Sequence, residues 1–273
     1  MIRLALRVDR AHAEIALAEL LELAPGGVEE VDHGDVVEYA VYGPPGELPV
    51  LPDLEAAVGD ALIEVTTSEL PDDWSERWKD FHRPLVIDAA GGDGVPRLAV
   101  RPPWESAIGA ATEIVIDPAQ AFGTGSHATT ALCLDLLVEL TPAGPLLDLG
   151  CGSGVLAIAA AKLGFAPVTA VDFDPLSVEA TRANAAVNGV ALDVARCDLR
   201  TDPVPAAPTV LANLLRPLLL DYARRLDDPP RTLIASGLLT HEADEIAAAF
   251  AAHGLHQRAR RERGEWAALL LTL

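Results

Sequence analysis

Residues 2–8 alternate apolar and polar side chains, the period-two pattern of a strand with one buried face. Residues 11–23 then place Ile15, Leu17, Leu20 and Leu21 at helical spacing, and Pro25-Gly26-Gly27 ends that helix. Two short strands are expected at 28–31 and 36–41, turning at His33-Gly34-Asp35. A weaker helix at 51–58 and a last strand at 62–65 complete the order β-α-β-β-α-β, the ferredoxin-like split motif.

Trp74, Trp78 and Phe81 share one helical face, an aromatic stripe that reads as packing on a neighbouring domain. Short strands are expected at 85–87 and 98–100, split by Gly91-Gly92-Asp93-Gly94, and Pro102-Pro103 marks a boundary. From about residue 113 the pattern changes to regular alternation. Strands are expected at 114–116, 146–149, 168–172, 192–196, 209–212, 232–235, 255–260 and 266–271. Helices fit at 127–140, 155–163, 176–187, 215–226 and 239–252. Such alternation predicts a mostly parallel sheet covered on both faces. The fold class is therefore α/β, a Rossmann-like sheet with a small N-terminal ferredoxin-like α+β domain. The expected divisions are 1–66 for the small domain, 67–103 for a structured connector and 104–273 for the sheet domain.

Composition supports burial of a real core: half of the 273 residues are apolar and 22% are charged. The net charge of −21 disfavours DNA or an anionic membrane surface as partner and favours a cationic one. The charge is uneven. Residues 1–103 hold 8 basic and 21 acidic side chains, a net of −13, and the longer remainder holds 12 and 20, a net of −8. No secretory leader or membrane span is expected from the apolar runs, so the cytoplasm is the expected compartment. Cys133, Cys151 and Cys197, without CxxC spacing, argue against a disulfide framework and a zinc site. No metal is expected, and the chain is expected to be a monomer.

The strongest chemical signal is Pro145-Leu-Leu-Asp148-Leu-Gly150-Cys-Gly152-Ser-Gly154, an apolar strand running into a glycine turn and then an apolar helix. Glycines let the backbone turn sharply and approach a ligand. A dinucleotide fingerprint needs its third glycine one residue later. Asp148, two residues ahead of the turn, would repel a pyrophosphate but suits a cationic amino group. Further on, Asp172 ends a strand and is placed to accept hydrogen bonds from a ribose diol, whereas Asp174 before Pro175 reads as a helix N-cap. Asp198, after the next strand, is a candidate for an adenine amine or a surface carboxylate.

Upstream, Phe122-Gly-Thr-Gly-Ser-His127-Ala-Thr129-Thr130 is a glycine- and hydroxyl-rich loop entering a helix, suited to an anionic group or to ordinary capping. His127 reads as a packing or capping residue rather than a base. Asn213 ends the strand at 209–212 and would face the same crevice as Gly150 and Asp172.

Together these motifs resemble the bacterial ribosomal protein L11 methyltransferase family, PrmA, class I enzymes dependent on S-adenosyl-L-methionine. The resemblance rests on the Phe-Gly-Thr-Gly loop ending in His-x-Thr-Thr, the Asp-Leu-Gly-Cys-Gly-Ser-Gly turn, Val-Asp-x-Asp-Pro at 171–175 and Ala-Asn-Leu at 212–214. It extends over essentially the whole chain, in pattern more than in motif over the first 66 residues. Ser126 and Ala128 depart from the threonine and proline frequent in the family. The resemblance implies cofactor contacts at Thr129, Gly150, Asp172 and Asn213, beside Asp148 and Gly152 of the glycine turn. It implies transfer of methyl groups to lysine side chains and the N-terminal amine of a basic ribosomal protein, with Asn213 and the adjacent backbone carbonyl orienting the amine. The alternatives are the same chemistry on lysines of another protein, a nucleotide-dependent oxidoreductase, and a non-catalytic binding module on the same fold.

Overall fold

The computed structural model describes residues 2–13, 16–17, 28–43, 62–69, 84–87, 95–117 and 127–273. Contacts divide the chain into two units, Met1–Phe81 and His82–Leu273. That divide falls inside the stretch read from sequence as a connector.

The first unit contains a four-stranded antiparallel sheet made of β1 (Ile2–Asp9), β2 (Glu29–Asp32), β3 (Val36–Gly43) and β4 (Leu62–Glu69). Its order is β2-β3-β1-β4, as the split motif requires, with Ala5 of β1 opposite Ala40 on one side and Thr66 on the other. Alternation puts Leu4, Leu6, Val8, Val37, Tyr39 and Val41 in one core with Ala13 and Ala16. Asp9 caps a short 3-10 turn at Arg10–His12, and residues 13, 16 and 17 are helical, inside the first expected helix. The expected helix at 51–58 and the stripe of Trp74, Trp78 and Phe81 lie outside the described residues. Glu38 is buried and bonded to Arg3 at 2.6 Å and Arg7 at 2.8 Å. The Arg3 hydrogen bond leads in holding its carboxyl below the usual range.

Among the described residues the second unit holds two sheets. The smaller joins β5 (Leu85–Ile87), β6 (Leu98–Arg101) and β7 (Thr112–Val115), antiparallel and then parallel. The strand expected at 114–116 therefore belongs here, not to the large sheet. The backbone N–H and C=O of Val115 are occupied by the Asn188 side chain, at 2.9 and 2.7 Å, which fills a position another strand would take.

The large sheet comprises β8 (Leu146–Leu149), β9 (Val168–Asp172), β10 (Asp193–Arg196), β11 (Thr209–Asn213), β12 (Thr232–Leu239), β13 (His256–Arg263) and β14 (Trp266–Thr272), in the order β10-β9-β8-β11-β12-β14-β13. Its first five strands run parallel, and β14 is antiparallel to both neighbours. Around this sheet the described residues form the helices α1 (Ala128–Leu137), α2 (Val155–Leu163), α3 (Pro175–Val187), α4 (Arg216–Arg224) and α5 (Ala243–Ala251). Side chains of α1 and α2, such as Leu132, Leu136 and Ile158, share a core with Leu146, Val168 and Ile234. Leu219, Tyr222, Ile246 and Phe250 of α4 and α5 share the other, with Leu147, Val210 and Leu233. Adjacent strand residues thus enter opposite cores, so β8 is buried on both faces. The chain leaves β8 toward β9 and β10 and later returns to β11 on the other side. This reversal makes the carboxyl ends of β8 and β11 the topological switch point of the sheet, the usual ligand position in such folds.

Candidate functional site

Gly150, Gly152 and Gly154 follow β8 with φ of +70°, +52° and +83°, a left-handed path that side chains resist. A Cβ on Gly150 would come 2.5 Å from Leu214 Cδ2, and one on Gly154 2.9 Å from Thr181 Cγ2. Gly150 N–H and Cys151 N–H both donate to the carbonyl of Val171, at 2.8 and 3.1 Å, so the turn wraps the end of β9. Two residues of α3 reinforce it. The Thr181 hydroxyl donates to the Gly152 carbonyl at 2.9 Å, and the Asn184 amide donates to that of Ser153 at 2.8 Å. Sequence reasoning passed over Thr181, Asn184 and Asn188. Their signal is a row of polar residues at spacing three and four, with Thr181 and Asn184 on the buried face of α3.

Asp172 ends β9 and is 8% exposed. Its Oδ2 accepts from Gly152 N–H at 2.9 Å and its Oδ1 from Asp174 N–H at 3.0 Å. One carboxylate therefore fixes the glycine turn and the entry to α3, and each oxygen retains acceptor capacity. Burial raises its pKa, against the backbone donors that lower it. Asp174 caps α3 by accepting from Leu176 N–H at 3.0 Å, with Pro175 following at the first helical position.

Asp148 is 1% exposed. Its Oδ2 accepts from Ala157 N–H in the first turn of α2 at 3.1 Å, and its Oδ1 has no partner among the described residues. Burial pushes this carboxyl up to about 7, with the charge of Asp172 acting in the same direction. A buried acceptor without a donor is costly, and a cationic donor would relieve both the desolvation and the repulsion.

On the other side of β8, Asn213 ends β11 and its amide donates to Thr130 Oγ1 of α1 at 3.4 Å, which leaves Oδ1 as its acceptor. Thr129 is buried, with its hydroxyl 2.8 Å from His127 Nδ1. His127 is the N-cap of α1, accepting from Thr129 N–H, and its ring stands edge-on to Trp266 at 4.9 Å. Desolvation lowers its pKa and so favours the neutral ring that caps the helix. Asp198 accepts from both the N–H and the guanidinium of Arg200, and its carboxyl is held below the usual range by these bonds. Residues 118–126, including the Phe122–Ser126 loop, lie outside the described residues.

Asp148, Gly150, Gly152, Asp172 and Asn213 thus converge at the carboxyl ends of three adjacent strands, β9, β8 and β11. On α1, Thr129 precedes Thr130, whose hydroxyl accepts from the Asn213 amide. The site brings together a buried carboxyl with one oxygen unpartnered among the described residues, a carboxylate that keeps acceptor capacity and an amide oxygen.

Residues 51–273 match the family model described as ribosomal protein L11 methyltransferase (PrmA). A ribosomal protein L11 methyltransferase of Bordetella bronchiseptica is 36% identical over 315 aligned positions, covering 98% of both chains. One from Pelotomaculum thermopropionicum is 39% identical, covering 82% of this chain and 72% of its own. Among solved structures, the ribosomal protein L11 methylase of Lactobacillus delbrueckii subsp. bulgaricus superposes with a TM-score of 0.57 at 30% identity. That match covers 69% of this chain and 98% of the other.

Proposed function

Because the chain belongs to the ribosomal protein L11 methyltransferase family, we propose that it methylates lysine side chains and the N-terminal amine of a basic ribosomal protein, using S-adenosyl-L-methionine. The observation that carries the cofactor reading is the buried Oδ1 of Asp148, without a partner among the described residues, beside a turn that Asp172 holds in place. Asp148 would hold the amino group, Asp172 the ribose diol, and Gly150 and Gly152 the chain between, with Thr129 fixing the start of α1. When bound, the cofactor supplies a methyl group on a cationic sulfur.

The chain's own residues then have three tasks. The turn and Asp172 fix the position of the donor, and proximity and orientation contribute most of the rate in a displacement of this kind. Asn213 orients the acceptor: with its NH2 turned to Thr130, its Oδ1 accepts an N–H of the incoming amine and so directs the lone pair. Desolvation of the incoming amine beside the buried Leu214 favours the neutral amine over its ammonium form. Residues 1–66 serve as the docking domain and 104–273 as the catalytic domain, joined by 67–103, a connector whose strands β5 and β6 belong to the core of the second unit. The docking assignment is supported by the net charge of −13 in residues 1–103, which suits a basic protein better than DNA. We place the reaction in the cytoplasm and the enzyme as a monomer.

The direct test is incubation with methyl-labelled cofactor and the unmodified ribosomal protein, beside an unrelated basic protein. Label is expected on the first, and its absence there would overturn the substrate assignment. Asn213→Ala is expected to lower kcat about 30-fold while the cofactor Kd stays within twofold, as for a misoriented nucleophile. A variant losing cofactor affinity instead would assign Asn213 to the cofactor alone.

A further inference from the structure

The pairing of β12 with β14 slips between Ser236 and Leu238, so Gly237 is the extra residue of a bulge. Its φ is +83°, and a Cβ there would fall 2.4 Å from the Leu214 carbonyl oxygen, 2.8 Å from its carbon and 2.9 Å from its nitrogen. The obstacle is main chain, which no rotamer change can clear. Next to the bulge, the Ser236 carbonyl accepts from Leu214 N–H at 2.9 Å, and the Ser236 hydroxyl donates to Ala267 O at 2.9 Å. Leu214 is therefore fixed from two directions. Its peptide rests against the bare Cα of Gly237, and its side chain fills the space that a Cβ on Gly150 would need.

We propose that Gly237 is a positioning residue for methyl transfer: by lacking a Cβ it seats the Leu214 peptide, and through it the Asn213 amide, against the glycine turn that holds the donor. The inference rests on the reading of Asn213 as the acceptor of the incoming amine. A bulge on β12 thereby sets the separation between two groups carried by β8 and β11. Bulges beside active sites commonly re-aim a side chain in this way. Here the re-aimed side chain sits on the neighbouring strand.

The experiment compares Gly237→Ala with Gly109→Ala in the full-length protein. Gly109 has φ of +82° and nothing within 4 Å of the position a Cβ would take, so it imposes the same backbone strain without the collision. Gly237→Ala is expected to lower kcat for methylation of the ribosomal protein at least tenfold, with the cofactor Kd and the protein KM within twofold of wild type. Gly109→Ala is expected to keep wild-type kcat. A folded Gly237→Ala with kcat within twofold of wild type overturns the proposal, and so does a kcat loss matched by lost cofactor affinity. Should Gly237→Ala not fold, Leu214→Gly frees the same peptide by removing its side-chain anchor beside Gly150, and a loss in kcat at least fivefold larger than any loss of cofactor affinity is expected. An unchanged kcat in Leu214→Gly would overturn the proposal. Wild-type protein that transfers no label overturns the reading of the reaction itself, which separates that failure from a failure of the role of Gly237.

Discussion

Asp172→Ala is expected to weaken S-adenosyl-L-methionine binding about a thousandfold. Two effects combine. Each hydrogen bond from a diol to a carboxylate contributes roughly 1.5–3 kcal/mol, and both vanish. The same substitution strands the N–H groups of Gly152 and Asp174, which now donate to Oδ2 and Oδ1 at 2.9 and 3.0 Å. With its side-chain anchor gone, the turn keeps only its backbone ties to Val171 and the bonds from α3. Calorimetry with S-adenosylhomocysteine reads the loss directly. Affinity within tenfold of wild type would show that Asp172 only shapes the turn.

Asp148→Asn is expected to weaken the same ligand about 100-fold at pH 7.5, the cost of removing one partner from a buried, charge-assisted contact. The pH dependence is more specific. The folded carboxyl titrates at about 7, well above its unfolded value of roughly 3.9. A cationic ligand prefers the ionised form, so wild-type affinity should fall about tenfold for each pH unit below 7, reaching roughly 30-fold at pH 5.5. In Asp148→Asn this slope should disappear.

The ligand-free protein should show the opposite sign in stability. Because the folded carboxyl holds its proton more tightly, its contribution favours folding at low pH and is lost as pH rises from about 4 to 7. Relative to wild type, Asp148→Asn should therefore gain stability across that window, by up to ~4 kcal/mol. Melting temperatures of both proteins from pH 5 to 8 check this. Parallel curves, or a pH-independent wild-type affinity, would remove Asp148 from the ammonium site.

Much of the catalytic sheet is legible in the residues alone. The bounds of β8, β9 and α2 coincide with expectation, because an apolar run, a glycine turn and an apolar helix each fix backbone geometry within a few residues. Asp174 and Pro175 announce the start of α3 for the same local reason. Departures occur where distant partners decide. The helix expected at 239–252 begins at Ala243, because Thr240–Glu242 forms a 3-10 turn in which Glu242 Oε2 accepts from Leu239 N–H at 2.8 Å. The strand expected to stop at 235 continues to Leu239, since Gly237 forms a bulge that lets pairing with β14 resume. Residues 85–87 and 98–100 read as part of a connector, yet their sheet packs into the core of the second unit.

By itself, then, the sequence determined the fold class, the family and the residue types gathered at the crevice. Periodicity, caps and glycines act on neighbouring dihedral angles, and those are written in adjacent residues. Only the tertiary structure decided what each group meets. It joined Asp172 to Gly152, left one oxygen of Asp148 buried and without a partner among the described residues, and set Leu214 between Gly150 and Gly237. Packing and local dielectric depend on atoms distant in sequence, so a carboxyl's proton affinity and a peptide's position became definite only when the strands came together.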